Sequence, residues 1–110
     1  MKVLITGANG FIGKNLIERL SGFYDLLSPY REELDLLDEK SVHVYLMKNM
    51  PDVIIHTAGK PVHRNAADPT GIFYADTRMF FSLMRNRDYF GKLIITGSGG
   101  IYDIRNSIQN

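Results

Sequence analysis

Residues 6–13 read TGANGFIG, from Thr6 to Gly13, and this stretch decides the fold because of what flanks it. Before it, Lys2–Thr6 (KVLIT) is a short apolar run with β-branched residues, which is typical of a strand buried on both faces. After it, apolar residues recur at helical spacing, at Phe11, Ile12, Leu16, Ile17 and Leu20. The stretch is therefore predicted to be a glycine-rich turn that joins a buried strand to a helix.

The rest of the chain repeats this alternation of strand and helix. Short apolar runs predict strands at 24–27, 53–55 and 93–96. Apolar periodicity predicts helices at 38–50 and 70–87, with Asp38 and Asp68 as capping residues. The alternation indicates an α/β protein with a doubly wound parallel sheet, which we expect to be truncated after about five strands. From residue 97 on, the sequence has no clear period.

Length and composition fit one domain, residues 1–110. Hydrophobic residues make up 45% of the chain and charged residues 23%, as in ordinary globular proteins. The net charge of +1 gives no sign of the basic patch that nucleic-acid binding requires. Because the chain has no cysteine and no apolar run of ~18 residues, we expect no disulfide, no membrane association and a cytoplasmic location.

The three glycines of the turn, Gly7, Gly10 and Gly13, have separate physical uses. A glycine that opens the turn lets the chain reverse, and one at the helix start lets a phosphate approach the backbone. A third, one helical turn later, lets the helix lie close to the strand. The helix N-terminus then offers N–H groups and a positive dipole end to a diphosphate. A glycine-rich turn without a ligand is the alternative, and the position after an N-terminal buried strand disfavours it.

Two other phosphate-binding patterns do not fit these residues. A Walker-type loop ending at Gly13 and Lys14 would need a glycine in place of Ala8 and a hydroxyl residue in place of Asn15. The commonest dinucleotide pattern, Gly-x-Gly-x-x-Gly, would need its first glycine at position 8 instead of 7. The pattern that remains is Gly-x-x-Gly-x-x-Gly.

This turn resembles the cofactor turn of the extended short-chain dehydrogenase/reductases, the NAD(P)-dependent nucleotide-sugar epimerase/dehydratase group. Four further segments match the family in order: Glu33–Asp38 (ELDLLD), Pro51–Gly59 (PDVIIHTAG), the long helix from residue 70, and Ile94–Tyr102 (IITGSGGIY). The resemblance covers about residues 1–102. Within the family, the ELDLLD segment is most similar to GDP-fucose synthases and dTDP-4-dehydrorhamnose reductases, which reduce keto-sugar nucleotides.

The resemblance implies a Rossmann fold that binds NAD or NADP. In the complete enzyme, a hydride would move between the nicotinamide and a carbon of a nucleotide-sugar substrate. The candidate cofactor-binding residues are Gly7, Asn9, Gly10, Phe11, Ile12, Gly13, Arg31, Asp35, Leu36, Ala58, Gly59, Lys60 and Thr96.

Ser98 falls on the catalytic serine of the family, with an ordinary loop serine as the alternative. In the family this serine hydrogen-bonds the substrate oxygen, while the lysine of a Tyr-x-x-x-Lys pair lowers the tyrosine pKa toward the working pH. None of the 6 tyrosines here has a lysine four residues further on. We therefore expect the acid–base pair beyond residue 110, in the rest of a longer enzyme, and no activity from this chain alone. A non-catalytic dinucleotide sensor or regulatory module of the same fold is the alternative.

The choice between NAD and NADP depends on the segment after the second strand. NAD enzymes usually place an acidic residue there, for the ribose hydroxyl. Arg31 can instead pair with a 2′-phosphate, which favours NADP, although a solvated surface arginine beside Glu32 and Glu33 explains it equally well. The resemblance places Asp35 and Leu36 against the adenine, with an ordinary turn aspartate as the alternative.

The central strands end in Thr6, His56 and Thr96. A response-regulator phosphoacceptor domain would need an aspartate at one of these ends, so that class is excluded. We interpret His56 as a core or supporting residue instead of a catalytic base. The histidines have no metal-ligand spacing, so no metal site is expected.

For the loop after the third predicted strand and for the helix at 70–87, the sequence leaves two interpretations open. The loop residues Lys60, His63 and Arg64 can meet a sugar-nucleotide phosphate or remain solvated. The wide apolar band of the helix at 70–87 can serve a homodimer as well as its own sheet. Asp76 of this helix replaces the asparagine that the family usually has there.

Overall fold

The computed structural model describes residues 1–57, 69–97 and 100–105, and the side chains of 1–57 and 77–96. Its elements in chain order are β1 (Lys2–Thr6), α1 (Phe11–Leu20), β2 (Asp25–Leu27), α2 (Glu39–Asn49), β3 (Val53–His56), α3 (Pro69–Arg85), a 3₁₀ turn (Arg87–Tyr89), β4 (Lys92–Gly97) and β5 (Gly100–Arg105). The predicted alternation of strands and helices is confirmed up to β4.

The strands form one sheet in the order β2-β1-β3-β4-β5, in which the first four are parallel. The chain moves from β1 to β2 on one side and then returns to β3 on the other. The switch point of the sheet therefore lies between the carboxyl ends of β1 and β3, where open α/β sheets bind ligands. There Thr6 of β1 pairs with His56 of β3.

Each face of the sheet carries its own hydrophobic core, as a doubly wound sheet requires. On one face α2 and α3 cover Leu4 and Ile54, which are fully buried with Val42, Leu46, Leu83 and Leu93. On the other face Val3, Ile5 and Ile55 pack with Leu16, Ile17 and Leu20 of α1. The first two apolar residues of α1 do not join this core, because Phe11 is 84% and Ile12 46% exposed. The helix predicted from the spacing of these five residues is confirmed, but only Leu16, Ile17 and Leu20 pack against the sheet.

β5 is an element that the sequence pattern did not reveal, and it runs antiparallel to β4. Gly97 of β4 pairs with Gly100 of β5, so only two residues separate the strands in sequence. A parallel connection needs a crossover of a dozen residues or more, whereas two residues suffice for an antiparallel return. The expectation of a wholly parallel sheet is corrected in this respect.

The start of α2 is capped as its sequence predicts. The Asp38 carboxylate accepts hydrogen bonds from the N–H groups of Lys40 and Ser41, and Glu39 occupies the first turn. Burial, aided by the charge of Glu33, raises the pKa of Tyr45 on this helix. This side chain therefore stays neutral at physiological pH.

Within the described ranges, no helix combines the length and the apolar character needed to cross a membrane.

Candidate functional site

The glycine-rich turn between β1 and α1 is built around the carbonyl group of Gly7. Gly7 has a φ of 73°, in the left-handed region that other residues rarely adopt. Its carbonyl oxygen accepts a hydrogen bond from the Gly10 N–H at 3.0 Å, which closes the turn. A Cβ at Gly7 would lie 2.6 Å from the Thr57 hydroxyl and 2.8 Å from the Thr57 carbonyl oxygen. Glycine is therefore required at position 7 by the fold itself.

Gly13 is equally required, for a different reason. It is buried in α1, and a Cβ at this position would lie 2.1 Å from the Gly7 carbonyl oxygen. The helix thus packs directly on the turn, which agrees with the predicted use of a third glycine for close approach.

Gly10 differs from both of these glycines. Its φ of −80° and ψ of 172° are ordinary extended values. A Cβ on Gly10 would meet only the Gly7 carbonyl oxygen, at 3.4 Å. Among the described residues, nothing in the protein requires glycine at position 10. The missing side chain leaves open space at the N-terminus of α1, the place at which a phosphate would approach.

The N-terminus of α1 is open, in contrast to that of α2. It has no side-chain cap and no acidic residue in its first turn. The first i→i−4 hydrogen bond runs from the Lys14 N–H to the Gly10 carbonyl oxygen, at 2.9 Å. The N–H groups of residues 11–13 precede that bond, so they lack partners within the helix. N–H groups without helical partners at the positive end of a helix are suited to bind an anion.

A cavity of about 300 Å³ extends from this turn. Its wall consists of residues 6–10 of the turn, Pro29, Arg31, the run 34–37 and Met79 of α3. The cavity therefore extends from the N-terminus of α1, which is suited to bind an anion, to the segment that follows β2. This is the relation expected if one extended ligand contacts both.

The segment after β2 places Arg31 and Asp35 side by side. Arg31 Nε lies 3.9 Å from Asp35 Oδ1, with the Arg31 side chain 76% exposed. An exposed pair at this distance contributes little to stability, so Arg31 can turn toward a ligand at small cost. Asp35 Oδ1 also accepts from the Leu37 N–H at 3.0 Å. A carboxylate retains further acceptor capacity, so the turn and the adenine interpretations of Asp35 are compatible.

Polar side chains bridge the carboxyl ends of β1, β3 and β4 beneath the turn. His56 is 6% exposed, and its Nδ1 lies 2.7 Å from the Thr6 hydroxyl oxygen. The Thr96 hydroxyl donates to the His56 carbonyl oxygen at 3.4 Å, a long hydrogen bond. The buried position of His56 agrees with a supporting role.

The structure brings together six of the thirteen predicted cofactor-binding residues in the wall of one cavity. Those in the cavity wall are Gly7, Asn9, Gly10, Arg31, Asp35 and Leu36. Gly13 adjoins the turn, and Thr96 lies at the end of β4, outside this cavity wall. The side chains of Phe11 and Ile12 instead lie with Leu16 along a shallow apolar groove of α1, so only their N–H groups belong to the turn. Ala58, Gly59, Lys60 and Ser98 lie outside the described residues, as do His63 and Arg64.

Several residues of the site were missed by sequence reasoning. Leu34 and Leu37 belong to the ELDLLD segment, so their neighbours already pointed to them. Thr57 follows the buried β3 strand, and its polarity at that end was the available signal. Met79 could not be identified from the sequence. An apolar residue in an amphipathic helix is expected in the hydrophobic core, and only the position of the helix in the fold shows that it also lines the cavity.

No group of three or more potential metal ligands occurs among the described side chains.

The family model for the NAD dependent epimerase/dehydratase family matches residues 3–109. The GDP-L-colitose synthase of Yersinia pseudotuberculosis is 35% identical over 107 residues, covering 93% of this chain and 35% of that protein. The GDP-L-fucose synthase of Azorhizobium caulinodans is 40% identical over 72 residues, covering 62% of this chain and 23% of that protein. The chain spans about a third of the length of the first of these relatives.

Solved structures give the same result for the fold. The GDP-mannoheptose C4 reductase from Campylobacter jejuni with NADP bound superposes with a TM-score of 0.80 at 28% identity, covering 89% of this chain and 33% of that chain. The Thermus thermophilus UDP-glucose 4-epimerase complex with NAD superposes with a TM-score of 0.73 at 26% identity, covering 84% and 36%. The predicted NAD(P)-binding Rossmann fold is confirmed.

Proposed function

The chain belongs to the NAD dependent epimerase/dehydratase family, and from this membership we propose that it is the cofactor-binding portion of an NAD(P)-dependent nucleotide-sugar enzyme. The observation that carries the proposal is the open N-terminus of α1, beside the space that Gly10 leaves free. The same chain caps α2 with Asp38, whereas the start of α1 has no side-chain cap.

In this proposal the residues present bind and orient the cofactor. The N–H groups of residues 11–13 hold the pyrophosphate, Asp35 and Leu36 contact the adenine, and Thr96 with Ala58, Gly59 and Lys60 lies along the rest of the cofactor. The bound cofactor would supply the hydride chemistry. Ser98 would hydrogen-bond the reacting oxygen of the substrate, as the family resemblance implies.

We further propose that the substrate is a GDP-linked keto-sugar, which the complete enzyme reduces. The names of both sequence relatives, and that of the Campylobacter jejuni structure, carry GDP-linked sugars. A dinucleotide sensor of the same fold would bind the cofactor but would not oxidise it in the presence of a GDP-4-keto-sugar. The assay is the loss of NADPH absorbance after that substrate is added to the purified complete enzyme, because no activity is expected from this chain alone.

Arg31 is proposed to select NADP through the 2′-phosphate. We expect NADPH to bind more tightly than NADH. The change Arg31→Ala should weaken NADPH binding by roughly tenfold, since a charge-assisted hydrogen bond at an exposed site contributes about 1.5 kcal/mol. The measurement is a fluorescence titration with each reduced cofactor. NADH affinity is the internal control and should stay unchanged, so equal losses for both cofactors would contradict this role of Arg31.

Helix α3 is proposed to contact a second copy of the chain. Phe81 on this helix is 51% exposed, although Met79 and Leu83 beside it are buried. We expect sedimentation velocity to give a dimer for the natural protein and a monomer for Phe81→Glu, because a charge would replace apolar contact area. The matched control is Val44→Glu on the exposed side of α2, which should leave the dimer intact. If Phe81→Glu sediments as the natural protein does, the contact lies elsewhere.

A further inference from the structure

The turn that is proposed to hold the pyrophosphate contains two glycines, whose backbones are less restricted than those of other residues. Gly7 and Gly10 lack the Cβ atoms that restrict other residues, so each can populate many backbone conformations. A turn that binds an anion through fixed N–H groups gains affinity only if those groups are already oriented. A contact from outside the turn can add to the Gly10–Gly7 hydrogen bond in holding these groups in place.

Thr57, the residue after β3, makes such a contact. Its hydroxyl lies 2.5 Å from the Thr6 carbonyl oxygen and 3.3 Å from the Gly7 carbonyl oxygen, so that its single hydrogen can be shared between the two acceptors. The Gly7 carbonyl is the same group that accepts from the Gly10 N–H and against which Gly13 packs. Among the described residues, Thr57 is the only one whose side chain hydrogen-bonds residues 7–10.

The backbone of Thr57 is fixed independently of its hydroxyl. Its N–H donates to the Thr6 hydroxyl oxygen at 3.1 Å and lies 3.2 Å from the Thr6 carbonyl oxygen. Thr6 in turn contacts the buried His56, so the end of β3 is tied to the end of β1. The Thr57 hydroxyl therefore contacts Gly7 while the Thr57 backbone is held by hydrogen bonds to Thr6.

We infer that Thr57 is a positioning residue for cofactor binding, whose hydroxyl fixes the Gly7 carbonyl and thereby orients the N–H groups at the start of α1. This inference rests on the proposed cofactor role of the turn. It assigns the orientation of the binding loop to the side chain of the residue that follows the neighbouring strand β3, outside the glycine motif.

The test compares Thr57→Val with Thr57→Ser in the purified protein. Valine keeps the shape of threonine and removes the hydroxyl, whereas serine keeps the hydroxyl and removes a methyl group. The Thr6 and Gly7 carbonyls keep their N–H donors in either variant, so both are expected to fold. We expect Thr57→Val to bind NADPH about 5- to 10-fold more weakly, and Thr57→Ser to bind within about twofold of the natural protein.

A second measurement does not depend on the cofactor. The solvent exchange rate of the Gly10 amide, followed by NMR without ligand, should rise about 5- to 10-fold in Thr57→Val and stay near the natural rate in Thr57→Ser. The amides of Leu4 and Ile54 in the central strands should be unchanged in both. The destabilised control Asp38→Ala, which loses the cap of α2, should leave Gly10 exchange and NADPH affinity unchanged.

The outcomes are distinguishable. If the natural protein does not bind NADPH or NADH, the proposed function fails, and Gly10 exchange alone then decides whether Thr57 holds the turn. If the natural protein binds and Thr57→Val binds equally well with unchanged Gly10 exchange, the inference is overturned. Equal losses in the valine and serine variants also overturn it, because the methyl group and not the hydroxyl would then be responsible.

Discussion

Replacing Gly13 by alanine is expected to abolish measurable NADPH binding and to lower the thermal midpoint of the protein by roughly 5 to 15 °C. A Cβ at this position would lie 2.1 Å from the Gly7 carbonyl oxygen and 2.9 Å from the Ala8 Cα. Both are backbone atoms, which cannot move aside by a change of rotamer. The whole of α1 must therefore shift away from the turn, which costs about 1–3 kcal/mol in overpacking.

The shift also destroys the proposed binding geometry, because the N–H groups of α1 move with the helix. The measurements are differential scanning calorimetry and an NADPH fluorescence titration. Gly22→Ala is the matched control, since a Cβ there meets nothing within 4 Å. This control should bind NADPH normally and melt at or slightly above the natural midpoint. A Gly13→Ala protein with natural stability and affinity would show that α1 does not pack on the turn.

The sequence was sufficient to predict most of the fold because strand and helix signals along the chain agree with one another. Buried parallel strands require continuous apolar runs, and β1, β3 and β4 all have them. Asp38 marked the start of α2 through the chemistry of capping, which depends on local residues only. These features are local, so no knowledge of tertiary contacts was needed.

The features that escaped prediction depend on tertiary contacts. β5 was missed because its direction is determined by pairing with β4. The exposure of Phe11 and Ile12 was missed because helical spacing identifies apolar residues without showing which of them the sheet covers. Thr57 was missed because its contact with Gly7 joins residues 50 positions apart in the chain.

The candidate site likewise contains features that the sequence predicted and features that only the structure shows. Glycine spacing and position after β1 predicted the turn, and the structure supplies a reason for Gly7 and Gly13 within the protein itself. A tight turn without a ligand would therefore also require glycine at positions 7 and 13. Gly10 is different, because neither its backbone angles nor the described residues around it demand glycine. It is therefore the residue that separates a ligand-binding turn from a merely tight one.

Gly10→Ala is accordingly expected to preserve the fold and to weaken NADPH binding by roughly 10- to 100-fold. The φ of −80° suits alanine, and the added Cβ meets one protein atom at an ordinary 3.4 Å. Because alanine is a poorer helix-capping residue than glycine, a stability loss of up to about 1 kcal/mol is expected. The larger effect falls on the ligand, because the methyl group occupies the space through which a phosphate reaches the N–H groups. Hydrogen bonds to a charged group contribute about 1.5–3 kcal/mol each, which corresponds to the stated loss of affinity.

The comparison that decides the matter is between Gly10→Ala and Asp38→Ala. Each changes the capping position of one helix and should cost a similar free energy of unfolding, measured by urea denaturation. Only the first lies in the proposed phosphate site, so only the first should lower the NADPH affinity in a fluorescence titration. If both variants bind NADPH as tightly as the natural protein, the open end of α1 is not the binding site. If both lose affinity in proportion to their stability, the effect comes from unfolding, and the space at Gly10 has no special use. A loss confined to Gly10→Ala would mean that the ligand requires glycine at this position, where the described residues leave room for a Cβ.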